Sequence, residues 1–124
     1  MDDISNIRVT EINDAFLDRL VNQEKLFKND KSAAVFAVSY AINNDLDIDI
    51  SDNYVLPTPT INKWDATSVD STGVLRMIVK IRHPNIECPF RVIQGIMNVG
   101  LNGMREKCSE TGFIKISRFM KKEI

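Results

Sequence analysis

Residues 31–43 read Lys31-Ser32-Ala33-Ala34-Val35-Phe36-Ala37-Val38-Ser39-Tyr40-Ala41-Ile42-Asn43. Wound as a helix, this run is apolar on nearly every face, and such a helix belongs in the middle of a domain. Asp30 stands where an N-cap is wanted, and Asn43-Asn44 stands where the helix should stop. Ala33, Ala37 and Ala41 recur every four positions, so one face admits a neighbouring helix at close range.

Upstream, Thr10 can cap a helix over 11–27, with Ile12, Phe16, Leu17, Leu20 and Val21 on one stripe. Glu11 and Asp14 at its start, and Lys25 and Lys28 at its end, suit the helix dipole. Residues 1–9 read as a flexible lead-in. Downstream, 45–52 alternates Asp with Leu46, Ile48 and Ile50. That alternation predicts an extended segment with its carboxylates outward. Pro57 and Pro59 make 54–67 a rigid connecting loop, anchored by Trp64.

A third helix is expected over 73–82, capped by Asp70, Ser71 or Thr72 and stopped by Pro84. Its buried side would be Val74, Leu75, Ile78, Val79 and Ile81. Pro89 suits the first position of a fourth helix running to about residue 107. Val92, Ile93, Ile96, Met97, Leu101 and Met104 form its stripe. Gly95, Gly100 and Gly103 weaken it and point to close backbone packing, or to a break near Gly100. The tail 113–124 fits a strand or a short helix. The fold class that follows is mainly α: a compact, four-helix bundle-like single domain over 10–124 with one or two short extended segments.

Charge is divided end to end. Residues 1–70 carry 13 Asp/Glu against 6 Lys/Arg, and residues 71–124 carry 4 against 10, so a net charge of −1 hides a polarised chain. Met1-Asp2-Asp3 is acidic where a signal peptide needs a basic start, and the longest apolar run, 33–42, is half a membrane span. A cytoplasmic protein with Cys88 and Cys108 as free thiols is the expectation.

Catalytic and metal motifs fail on inspection. Asp45, Asp47 and Asp49 mimic the start of an EF-hand loop, but Ile50 and Leu56 stand where its glycine and glutamate belong. Asp70-Ser71-Thr72-Gly73 has one residue too many for an aspartic-protease turn and occurs once. His83, Cys88 and Cys108 are too few for structural zinc. No phosphate-binding or dinucleotide loop is present. We therefore expect no catalytic residue, no metal and no cofactor. The groups an enzyme would have to use are Asp47, Asp49, His83 and Cys88.

The basic half offers a better lead. Arg76 and Lys80 lie four apart on one helix, followed by Arg105, Lys115, Arg118, Lys121 and Lys122. Those seven are the candidate nucleic-acid contacts, since cations on one surface neutralise phosphates. A partner protein could meet the same polarised surface.

Two stretches carry a resemblance. Residues 26–42, from Leu26-Phe27-Lys28-Asn29 through the alanine-rich helix to Ile42, are similar to a segment of small proteins encoded beside Dnd-type DNA phosphorothioation and restriction genes. Residues 89–101, Pro89-Phe90-Arg91-Val92-Ile93-Gln94-Gly95-Ile96-Met97-Asn98-Val99-Gly100-Leu101, resemble their closing helix and its Asn-x-Gly-Leu ending. The resemblance implies a bacterial phage-defence accessory protein without chemistry of its own. Its expected partners are protein subunits of the same system, or a second copy of the chain, with DNA contact through the basic half as the alternative.

Overall fold

The computed structural model describes residues 2–111. Their order is β1 (Asn6–Thr10), α1 (Glu11–Asp18), α2 (Asp30–Asn43), β2 (Thr60–Asp65), α3 (Ala66–Val69), α4 (Val74–Arg82) and α5 (Pro89–Thr111). A π-helical turn, Arg19–Gln23, continues α1. The class is mainly α, as the periodicity predicts, joined by a two-stranded antiparallel sheet. Among the described residues no helix is long and apolar enough to cross a membrane.

The axis of the fold is α5. It runs 23 residues without a break at Gly100 and packs against α2, α4, β1 and α1, most extensively against α2. Val92, Ile93, Ile96, Met97, Leu101 and Met104 are fully buried, as their spacing requires. Ala33, Ala37 and Ala41 of α2 are equally buried. The two helices come closest where Gly100 meets the Ala37 carbonyl, so the alanine stripe and the glycine are two halves of one contact.

Where 1–9 reads as a lead-in, the chain is a strand from Asn6 onward. β1 pairs antiparallel with β2 from Asn6↔Asp65 to Thr10↔Thr60. Its other edge lies against α5, whose amide side chains act as a neighbouring strand would. Arg8 N donates to Gln94 Oε1 at 2.9 Å, and Thr10 N donates to Asn98 Oδ1 at 3.0 Å. Asn98 Nδ2 returns a bond to Arg8 O at 3.1 Å. Gln94, Asn98 and Asn102 stand four apart on one helix line, and Asn13 Nδ2 joins Asn98 and Asn102 from α1. Asn98→Leu should therefore cost about 3 kcal/mol, because it strands the buried Thr10 N–H and removes the bonds to the part-buried Arg8 carbonyl and to Asn13. Urea unfolding of Asn98→Leu beside Gln94→Leu, which strands a single N–H, checks the difference.

Three further expectations change. The first helix does not reach residue 27: the π-helical turn carries Leu20 into the core, and Lys25, at φ 54°, then turns the chain away. The N-cap of α2 is Asn29, whose side chain accepts from Ser32 N at 2.8 Å, and Asp30 opens the helix instead. The connector 54–67 contains β2. Its pairing skips Lys63 between Ile7↔Trp64 and Arg8↔Asn62, a bulge that aims Lys63 at Asp14 (2.8 Å) and Asp30 (2.9 Å). Trp64 is half-buried against the core, the anchoring expected of it.

The segment 45–52 is not extended. It is a series of turns, with Leu46 N bonded to Ala41 O and Ile50 N bonded to Asp47 O. Ile50 is buried, but Ile48 faces solvent and Asp47 is buried, which inverts the alternation at those two positions.

Candidate functional site

Three of the seven basic candidates, Arg76, Lys80 and Arg105, fall among the described residues. Arg76 is held by neighbours while staying partly exposed: its Nε donates to Asp70 Oδ2 at 2.8 Å, and its guanidinium lies 4.8 Å from the Phe90 ring centre. Arg105 donates to Asn102 Oδ1 at 2.9 Å. Phe90 and Arg105 are both on α5, fifteen residues and therefore about 22 Å apart. Lys80 is exposed on α4. Lys115, Arg118, Lys121 and Lys122, like the rest of the tail, lie outside the described residues.

Much of the end-to-end charge division is used inside the molecule. Asp3 accepts from the backbone N–H groups of Phe90 and Arg91, each at 2.9 Å. Asp52 accepts from Glu87 N and Cys88 N, also at 2.9 Å. Pro89 has no N–H, so two distant carboxylates cover every backbone donor that opens α5. Those N–H groups hold Asp52 below the ordinary carboxylate value. Asp70 does the same for α4, accepting from Leu75 N at 2.9 Å and Arg76 N at 3.0 Å. Burial raises the Asp70 pKa, but the Arg76 side chain and these two N–H groups outweigh it, and the net shift is downward. With Asp45 and Asp47, five carboxylates of the acidic half thus bind partners in the basic half.

Asp47 and His83, both named above as enzyme candidates, do come together. Asp47 receives Arg82 through two bonds, Nε at 2.7 Å and Nη2 at 2.8 Å, and His83 Nε2 lies 3.1 Å from its Oδ2. Asp45 adds a longer contact to Arg82 at 3.2 Å. Burial pushes the Asp47 carboxyl up, but the bonds from Arg82 and His83 prevail and its pKa falls below the ordinary value. A carboxylate held that way is a weak base near neutrality, where a general base needs a pKa close to the working pH. His83 borders a 370 Å³ cavity with Ser51, Asn53 and Asn85. Asp49 faces solvent, and Cys88 is buried with its N–H held by Asp52. The cluster is an ion-paired clamp that ties the 45–52 turns to the end of α4.

That clamp and the Asp70 cap fix both ends of α4, and Gly73, at φ +80°, makes the sharp entry. Only Val79 of α4 is fully inside. Val74, Met77 and Ile81 remain 46%, 58% and 72% exposed, and Ile48, next to the clamp, is 72% exposed. Val74 and Ile81 were expected in the core. Their i, i+3, i+7 spacing instead lays a stripe of large apolar side chains along the outer face of a rigid helix. The sequence signal was present, since α4 has more apolar residues than one buried stripe needs, but the direction of the surplus was not.

Comparison with protein-family models, curated proteins and solved structures finds no match for this chain.

Proposed function

We propose that this chain is a non-enzymatic, cytoplasmic accessory subunit of a bacterial DNA modification or restriction system with a role in phage defence. It acts by protein–protein contact through the outer face of α4, and α1, α2, α4 and α5 serve as its bundle-like scaffold. The observation that carries the reading is the Val74–Met77–Ile81 stripe on a helix pinned at both ends. The partly exposed side chains would each gain about 1–2 kcal/mol on leaving water. Their sum falls short of the ~8 kcal/mol of a micromolar complex, so polar contacts around the stripe must supply the rest. The phage-defence setting rests on the resemblance of segments 26–42 and 89–101 to Dnd-associated accessory proteins.

The test is recovery of the proteins encoded by the neighbouring modification genes, using the wild-type chain and a Met77→Lys, Ile81→Lys variant. Both positions are exposed, so the variant should melt within a few degrees of wild type while losing about tenfold or more of the recovered subunit. Equal recovery by both chains counts against the reading. So does binding of duplex DNA that falls steeply with salt and survives the double change, which would favour phosphate contact through the basic half.

A further inference from the structure

We propose that the outer face of α4 pairs with the same face of a second copy of the chain, the two helices running parallel about a twofold axis that lies along them. The inference rests on α4 being the contact face, and it names what covers that face before the modification subunit is met. Taken as a heptad, Val74 and Ile81 hold the a positions and Met77 the d position. Val79, the one fully buried residue of α4, holds f on the opposite side. The exposed stripe is thus a short coiled-coil seam with its back to the core. β-branched residues at a, beside a d residue that is not β-branched, form the pattern that favours two parallel strands.

The charges beside the seam select the same arrangement. With about 3.6 residues per turn, Lys80 lies along one edge of the stripe and Arg82 along the other. Lys80 is exposed. Arg82 holds Asp45 at 3.2 Å, so the turns of 45–52 border its edge, where Asp45 and Asp49 are exposed acids. A twofold axis along α4 sets the Lys80 edge of each copy against the acidic edge of the other, and Lys80 and Arg82 differ by only about 3 Å along that axis. An antiparallel pair sets like edges together, which costs affinity. Ile48, exposed among those acids, extends the apolar surface. The apolar area offered is on the order of a few hundred Å² per copy, against about 800 Å² per partner in a standard stable interface. Two copies therefore associate reversibly, and the modification subunit can take the second copy's place.

Sedimentation of the full-length chain at about 1 to 500 µM tests the pairing. The weight-average mass of wild type should climb from one copy toward two, and Met77→Lys with Ile81→Lys should hold it at one copy throughout. Oxidation of Val74→Cys and of Ile81→Cys then reports the direction. In a parallel pair each introduced cysteine meets its own counterpart. Each variant alone should therefore form a disulfide dimer about tenfold faster or more than wild type, whose Cys88 and Cys108 are buried. A wild-type chain that stays at one copy at every concentration overturns the proposal. So does association that survives the double lysine change. Cross-linking that appears only when the two cysteine variants are mixed also overturns it, being the mark of an antiparallel pair. Failure of the pairing is distinct from failure of the accessory role. A single-copy wild type that still recovers the modification subunit removes only the pairing, and a pair that forms while no subunit is recovered removes only the accessory role.

Discussion

Gly100→Ala should destabilise the protein by about 3 kcal/mol, even though alanine is the better helix former by about 1 kcal/mol. A Cβ built on Gly100 collides with the carbonyl oxygen of Ala37 and comes within 2.7 Å of its carbonyl carbon. Those are backbone atoms in the middle of the buried helix α2, so relief requires the two helices to separate along the largest contact in the molecule. The other two glycines of α5 are the controls. A Cβ at Gly95 meets the tips of Ile50 and Tyr54 at 2.9 and 3.0 Å, and one at Gly103 meets Leu46 Cδ1 at 2.7 Å. Side-chain ends can rotate away, so Gly95→Ala and Gly103→Ala should each stay within about 1 kcal/mol of wild type. Adding Ala37→Gly should not rescue Gly100→Ala, because the obstruction is the peptide carbonyl and not the alanine methyl. Urea midpoints of the four variants beside wild type decide this. Equal losses at all three glycines would mean that helix propensity, not the crossing, controls the effect.

What could be read from the chain followed the range of the interaction that decides each element. The helices over 31–43 and 89–107 were legible because their periodicity is local and long, and the alanine and glycine spacings announced close packing before the partner was known. β1 and β2 were not, since each takes its form from a strand fifty or more residues away. In β2 the bulge at Lys63 leaves Lys63 and Trp64 both half-buried, which erases the period of two that marks a strand. The 45–52 segment misled in the opposite way. Its alternation is clean, but the partner that makes burial of Asp47 acceptable is Arg82, 35 residues on. Arg76, Lys80 and Arg105, the basic candidates among the described residues, were legible as charges only. That Arg76 is committed to Asp70, while the α4 stripe is left bare, depends on how α4 is pinned, and neither pinning carboxylate, Asp47 or Asp70, lies within α4 itself.

Asp47→Ala should cost about 2–3 kcal/mol at neutral pH, and the loss should shrink as the solution is acidified. Removing one partner of a buried pair commonly costs about 3–5 kcal/mol. Here the figure is lower because the carboxylate is 1% exposed while Arg82 is 33% exposed and keeps its contact to Asp45. The sign of the pH effect follows from the direction of the shift. The folded pKa of Asp47 is depressed below the ordinary 3.8, so its contribution is present above that value and is lost as pH falls through the folded one. The gap between wild type and Asp47→Ala should therefore be full at pH ~7 and narrow steadily below pH ~4. Asp30, Asp52 and Asp70 are shifted the same way and remain in the variant, so both chains still lose stability in acid. Asp47→Leu with Arg82→Met removes both charges and should recover part of the loss, because no ion is left without its partner. Chemical denaturation of the three chains between pH ~3 and ~7 provides the measurement. A gap that stays constant across that range would show that the Asp47 contribution is packing, and that the clamp holding the 45–52 turns to α4 does not depend on charge.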